Sequence, residues 1–270
     1  MINYFQIQRI ASQKRMPEDI IEKDYFIELL LFYLSSDYSF RKKFVFRGGT
    51  ALKKIYFPDY RFSEDLDFIV EEKENLTDLE EVLNEILIKI SNDFPFKPSK
   101  ISSIKNDRLQ AFLKYDIVPE IRANKELKVD ILKDTFIPSS VEKNIIFTYP
   151  DFKEKKNKLN TYNLECVAAD KISRILDVDK EVRDIYDLWY LLKLNFLKIY
   201  KLKDELKKRF GFLVNFPNLI EEIKSEIYKQ TWKTRLEKQV IDLPQYELVI
   251  RDLEELIKNK LIDLPQDQDN

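Results

Sequence analysis

Residues 44–70 read FVFRGGTALKKIYFPDYRFSEDLDFIV, and the fold is read outward from this stretch. A short strand, Phe44-Val45-Phe46, runs into Gly48-Gly49-Thr50; residues 51–56 then start a helix, and residues 65–70 alternate as a strand does. A strand delivering two glycines and a hydroxyl to the first turn of a helix suits an anion. Backbone N–H groups converge there, the helix dipole is positive, and the missing side chains let phosphate oxygens approach. The alternative is a tight strand-to-helix turn without a ligand. The chain has three glycines in 270 residues. Because each costs about 0.5–1 kcal/mol relative to alanine in regular structure, an adjacent pair marks backbone with little choice.

In Ser63-Glu64-Asp65-Leu66-Asp67-Phe68 the period of two places Asp65 and Asp67 on one face and Leu66 and Phe68 on the other. Two like charges about 5 Å apart repel by roughly 3 kcal/mol at an effective dielectric near 20. A half-buried pair therefore calls for a cation, whereas a pair on an edge strand is simply solvated. A Gly-Gly-Thr turn one short helix before Asp-x-Asp supplies both halves of a metal–nucleotide site.

Composition narrows the chemistry. The chain has 46 basic and 48 acidic residues, no histidine and one cysteine. Without histidine there is no Ser-His-Asp or Cys-His nucleophile system, no imidazole base and no His-ligated metal. Cys166 alone forms no internal disulfide or thiolate cluster, and its place in a periodic helix makes it a small core residue. A carboxylate site suits a hard cation such as Mg²⁺. Hydrophobic content of 44% with 13% aromatics describes an ordered globular chain. The longest apolar run, residues 26–34, is interrupted by Glu28 and is far below the roughly 20 residues that span a bilayer. With no secretory signal visible, a cytoplasmic protein with no membrane partner is expected. At a net charge of -2, nucleic acid would have to be met by a local patch. The basic clusters at 153–158 and 207–209 are read as solvated faces.

Periodicity organises the rest. Pro17, Glu18 and Asp19 suit a helix start, and apolar spacing continues to about Leu34. Residues 79–90 form an amphipathic helix, followed by strand candidates including 127–132 and 145–149. The charged stretch 151–158 is taken as a boundary, giving domains 1–150 and 151–270. Beyond it, helices are expected at 164–176, 181–194, 203–210, 218–236 and 246–261, with Gly211 as a C-terminal cap and a frayed tail at 266–270.

GGTALKK followed by RFSEDLDF resembles the AbiEii-type nucleotidyltransferases, the toxin half of type IV abortive-infection toxin–antitoxin pairs, within the DNA polymerase β-like superfamily. The gap from Thr50 to Asp65 suits this branch. The resemblance implies an α+β fold: a polymerase-β-like domain, with a mixed sheet flanked by helices, and then an all-helical domain completing the nucleotide site. It also implies that Gly48, Gly49 and Thr50 hold the triphosphate, that Asp65 and Asp67 hold Mg²⁺, as one or two ions, and that Arg61 and Ser63 belong to the nucleotide site. In Leu127-Lys128-Val129-Asp130-Ile131, Asp130 stands on the face opposite the apolar residues, where the superfamily carries a third carboxylate. There it acts as general base or as a further metal ligand, unless it is an ordinary exposed strand position.

The resemblance extends over roughly residues 15–195. In Asn163-Leu164-Glu165-Cys166-Val167-Ala168-Ala169-Asp170-Lys171 it gives Lys171 as a phosphate contact. In Val182-Arg183-Asp184-Ile185-Tyr186-Asp187 it gives Arg183, Asp184 and Asp187, the two aspartates sharing a helix face at i,i+3. Arg183 and Asp187 at i,i+4 also suit a surface pair worth about 0.2–0.5 kcal/mol. Where the family commonly has an arginine two turns after the lysine, this chain has Val178, with Arg174 and Lys180 as nearby basic residues.

The expected activity is transfer of NMP from an NTP to a hydroxyl, the tRNA 3′ end being the acceptor that the family implies, by a toxin restrained by an antitoxin. Two alternatives stay open: a protein on the same fold that binds nucleotide or RNA without turnover, and an enzyme that attaches NMP to a protein Ser, Thr or Tyr hydroxyl.

Overall fold

Side chains that take over free backbone N–H groups set where the first helices begin. In the structure, a computed structural model describing residues 1–134, 139–177, 180–211 and 214–262, Asn3 and Gln6 form a reciprocal capping box on α1 (Tyr4–Lys14). Pro17 precedes α2 (Glu18–Ser36), and Asp37 caps α3 (Tyr38–Lys43). The chain then enters β1 (Val45–Arg47), a short helix α4 (Gly48–Ala51) and a π-helical turn at Leu52–Tyr56 closed by Phe57 N–H on Leu52 O at 2.8 Å. After β2 (Asp65–Glu71) come α5 (Leu76–Asp93), β3 (Ser99–Lys105), β4 (Arg108–Lys114), β5 (Glu126–Asp134), β6 (Ser140–Asn144) and β7 (Lys158–Tyr162).

These strands form one mixed sheet in the order β3-β4-β5-β2-β1-β7-β6. β2 is antiparallel to β1 and parallel to β5, while β7 is parallel to β1. The apolar face of the central strands is aromatic: Phe46 and Phe68 face each other in register with rings 5.1 Å apart, and Phe40 stacks on Phe44 at 3.7 Å. α2 is buried along most of its length.

Two features depart from the periodic reading. Residues 145–149 are not a strand, because their N–H groups go elsewhere. Thr148 and Tyr149 donate to the buried carboxylate of Glu28 at 2.8 and 3.1 Å, and Ile146 donates to Lys54 O at 2.6 Å. The helix expected over 218–236 is two, α9 (Phe216–Ile223) and α10 (Glu226–Leu236). Lys224 and Ser225 donate three residues back, to Glu221 O and Glu222 O, and Ser225 turns extended at ψ 133°, which restarts the chain.

The chain divides into two compact units. The first comprises Met1–Tyr162 and also Lys238–Ile241. It extends past the expected boundary at 150 because β7 completes the sheet. The second comprises Asn163–Glu237 and the chain from Asp242 on. It is helical: α6 (Leu164–Leu176) capped by Asn163, α7 (Val182–Lys193), α8 (Ile199–Phe210), α9, α10 and α11 (Tyr246–Ile257). Gly211 ends α8 at φ 69°, its N–H on Lys207 O at 2.9 Å, as a C-terminal glycine cap should. The expected frayed tail lies outside the described residues. No helix among the described residues is long and apolar enough to cross a membrane.

Candidate active site

Alternation along β2 buries Leu66 and Phe68 and leaves Asp65 and Asp67 half-buried on the other face. The sheet register then assembles a row on that face: Arg47 pairs with Asp67, Asp67 with Asp130, and Asp130 with Gln110. Sequence spacing finds the pair on β2; only the strand order brings Asp130 beside it.

The glycines serve this row directly. Gly48 has φ +80°, and a Cβ there would overlap Asp67 Oδ2 and stand 3.2 Å from its Cγ. A Cβ on Gly49 would overlap Arg61 Nη2 and stand 3.2 Å from its Cζ. The bare backbone expected to admit phosphate oxygens thus also admits the site's own carboxylate and guanidinium. Thr50 is buried, and its hydroxyl donates to the carbonyl oxygen of Asp65. It ties the turn to the strand that carries both aspartates.

Asp130 is buried and engaged by cations. Arg108 Nε donates to Oδ1 at 2.6 Å and Arg108 Nη2 to Oδ2, while Lys128 Nζ lies 3.1 Å from Oδ2. Burial pushes its carboxyl up, but the hydrogen bonds from Arg108 and Lys128 outweigh this and hold it below the ordinary carboxylate range. Sequence reasoning missed Arg108, Gln110 and Lys128 as its surroundings. Alternation within residues 108–114 puts Arg108 and Gln110 on one face, but nothing in the sequence names the neighbouring strand.

The donor set is all oxygen, the chemistry of a hard cation. No group of three or more His, Cys, Asp or Glu close enough to hold an ion together occurs among the described residues. Asp65 and Asp67 bring two carboxylates onto one face of β2.

The loop before β2 is braced from several sides. Arg61 and Ser63 are buried. Arg61 Nη1 donates to Phe62 O at 3.1 Å and to Gln239 Oε1 at 3.0 Å, and Phe62 N–H donates to Gln239 O at 2.7 Å. Lys53 donates to Tyr60 O at 3.0 Å and lies 4.1 Å from the centre of the Phe62 ring; burial pulls its pKa down to about 8. Lys54 is buried between Asp24 Oδ1 at 2.8 Å and Glu28 Oε1 at 2.9 Å. The KK of GGTALKK therefore anchors the turn to the loop and to α2. A charge inside the apolar run at Glu28 was the only sequence sign of this.

In the second unit, Lys171 is buried, with Asp184 Oδ1 at 2.7 Å and Asp187 Oδ2 at 2.8 Å. Arg174 Nε reaches Asp184 Oδ2 at 2.9 Å. Arg183 Nε lies 3.7 Å from Glu181 Oε2, so this arginine has a local partner other than Asp187. Val178 lies outside the described residues. Cys166 is a buried thiol outside any disulfide, pushed well up by burial and by Glu205, and so a poor nucleophile. Residues 153–156 are exposed as expected, but Arg209 is ion-paired with Asp170 and Lys208 with Glu205 at 3.0 Å, so the 207–209 cluster is partly internal.

The family profile described as "Nucleotidyl transferase AbiEii toxin, Type IV TA system" matches residues 29–259. The chain belongs to the AbiEii family. It is a nucleotidyltransferase of the type IV toxin–antitoxin class, for which an NTP is the donor and an antitoxin the partner. No curated protein sequence matches this AbiEii chain. Among solved structures it is similar to MenT4, a nucleotidyltransferase toxin from Mycobacterium tuberculosis H37Rv, at TM-score 0.67 and 18% identity, over 96% of this chain and 89% of that one. It is also similar to an H. pylori protein assigned as a nucleotidyltransferase, at TM-score 0.55 and 19% identity, over 93% of this chain and 100% of that one. At these identities the likeness is one of fold.

Proposed function

We propose that this AbiEii protein is a Mg²⁺-dependent enzyme that transfers NMP from an NTP to a hydroxyl of RNA, with the tRNA 3′ end as acceptor. The observation that carries the reading is the seating of Asp67 against the bare α-carbon of Gly48, with Asp65 on the same strand face. It joins a phosphate turn and a carboxylate pair in one rigid unit, and a metal-bound nucleotide needs both.

In the reaction the acceptor oxygen forms a bond to the α-phosphorus, the bond from that phosphorus to the β-phosphate oxygen breaks, and pyrophosphate leaves. Gly48, Gly49 and Thr50 shape the turn that receives the β and γ phosphates, with Arg61 and Ser63 in the loop behind it. Asp65 and Asp67 hold Mg²⁺, which when bound supplies positive charge to the phosphate oxygens. Asp130, ionised at neutral pH, takes the hydroxyl proton or adds a further oxygen ligand. In the helical half, Lys171 is the cation that opposes charge on the phosphates, and Asp184 and Asp187 fix its ammonium.

Mass spectrometry of tRNA incubated with the protein, Mg²⁺ and all four NTPs tests this reading. An RNA heavier by one or more nucleotides supports it. NMP on a Ser, Thr or Tyr of a protein instead would move the acceptor from RNA to protein, and bound NTP without product would leave a binding role.

A further inference from the structure

Residues 238–241 lie between helices of the second unit yet belong to the first. Within this insertion Gln239 is buried together with Val240. It touches the loop before β2 twice: its side-chain oxygen accepts from Arg61 Nη1 at 3.0 Å and its backbone carbonyl accepts from Phe62 N–H at 2.7 Å. Arg61 in turn fills the space beside the α-carbon of Gly49. A guanidinium is planar and its donors have fixed directions, so an acceptor on Nη1 constrains where Nη2 stands.

We propose that Gln239 is a positioning residue: through Arg61 it sets the shape of the Gly48-Gly49 turn and hence its affinity for the triphosphate of an NTP. The inference rests on the reading of that turn as the phosphate site. The backbone bond from Phe62 holds the inserted segment in place whatever side chain stands at 239. The side-chain bond adds a second acceptor on Arg61 Nη1, beside Phe62 O at 3.1 Å. Lys53 braces the same loop through Tyr60 O, so loss of the Gln239 side chain leaves the loop folded and removes one of the two acceptors that aim the guanidinium. A role for part of the helical half's sequence follows, in a stretch that carries no motif.

The test is calorimetry of a non-hydrolysable NTP with Mg²⁺ on the full-length wild type, Gln239→Leu, Gln239→Glu and Gly49→Ala, beside KM and kcat for transfer. Gln239→Leu removes one acceptor from a buried charged donor and is expected to weaken NTP binding about tenfold, raising KM with kcat nearly unchanged. Gln239→Glu restores an acceptor of the same length and should bring affinity back to within about twofold of wild type. If Gln239→Leu is too unstable to study, Gln239→Asn, one methylene short, should show the same loss. Unchanged affinity in the Leu or Asn variant while Gly49→Ala loses binding overturns the role of Gln239, as does a Glu variant no better than Leu. Unchanged affinity in Gly49→Ala overturns the phosphate reading of the turn instead.

Discussion

The carboxylate of Asp67 occupies the space that a side chain at Gly48 would need, and Gly48 itself stands at φ +80°. Turn and strand are thus mutually exclusive with any other residue at 48. Gly48→Ala meets two costs: about 1–2 kcal/mol for an L-residue in the left-handed region and displacement of Asp67. A fall of at least tenfold in nucleotide transfer is expected, with a lowered melting temperature. Wild-type transfer in Gly48→Ala would show that the close approach has no functional consequence.

Asp130 responds to acid through its partners. Its carboxyl is held low in the folded protein by Arg108 and Lys128 against the upward push of burial. A depressed folded pKa contributes stability that is fully present above the unfolded value, near 3.9, and is lost as pH falls through the folded one. The difference in urea midpoint between wild type and Arg108→Gln should therefore be steady from about pH 5 to 7 and shrink below about pH 4. A difference independent of pH would contradict the pairing.

Lys53 has the opposite sign. Its amine, lowered by burial to about 8 from an ordinary 10.5, binds fewer protons in the folded state than in the unfolded state between those values. Stability from this group therefore rises with pH across that window. Relative to Lys53→Met, the wild type should gain roughly 1–3 kcal/mol between pH 8 and 10 in denaturant titrations. Equal slopes in the two proteins would remove Lys53 from its buried position.

Much of the first unit is legible in the sequence because the decisive signals are local. Alternation in residues 65–70 gives β2 and the face shared by Asp65 and Asp67, and glycine scarcity points to the turn. The surroundings of Asp130 are not legible, because Arg108 and Gln110 reach it only through the pairing of β4 with β5. Nor is the contact of Gln239 with Arg61, which spans 178 residues of chain. Residues 145–149 have strand composition, but Glu28 claims their N–H groups. Helical period carries no information about the buried charges of Asp24, Glu28 and Lys54, which satisfy one another across more than twenty residues of chain.

Lys171 with Asp184 and Asp187 offers a stability test separate from catalysis. Lys171→Met leaves two buried carboxylates without their shared ammonium, a change that costs about 3–5 kcal/mol in comparable buried pairs. Adding Asp184→Asn and Asp187→Asn should recover part of the loss. A single-variant cost below about 1 kcal/mol would be that of a surface pair.

The most direct measurement is Mg²⁺-dependent incorporation of labelled nucleotide into tRNA by Asp67→Asn. This change keeps the shape that packs against Gly48 and removes the charge. The expected result is a loss of about a thousandfold or more in transfer, of the order seen when a group that stabilises transition-state charge is removed, with an unchanged thermal midpoint. Transfer within a few-fold of wild type would contradict the assignment of Asp67 to the metal and, with it, the reading of the Gly48–Asp67 pair as the heart of the site.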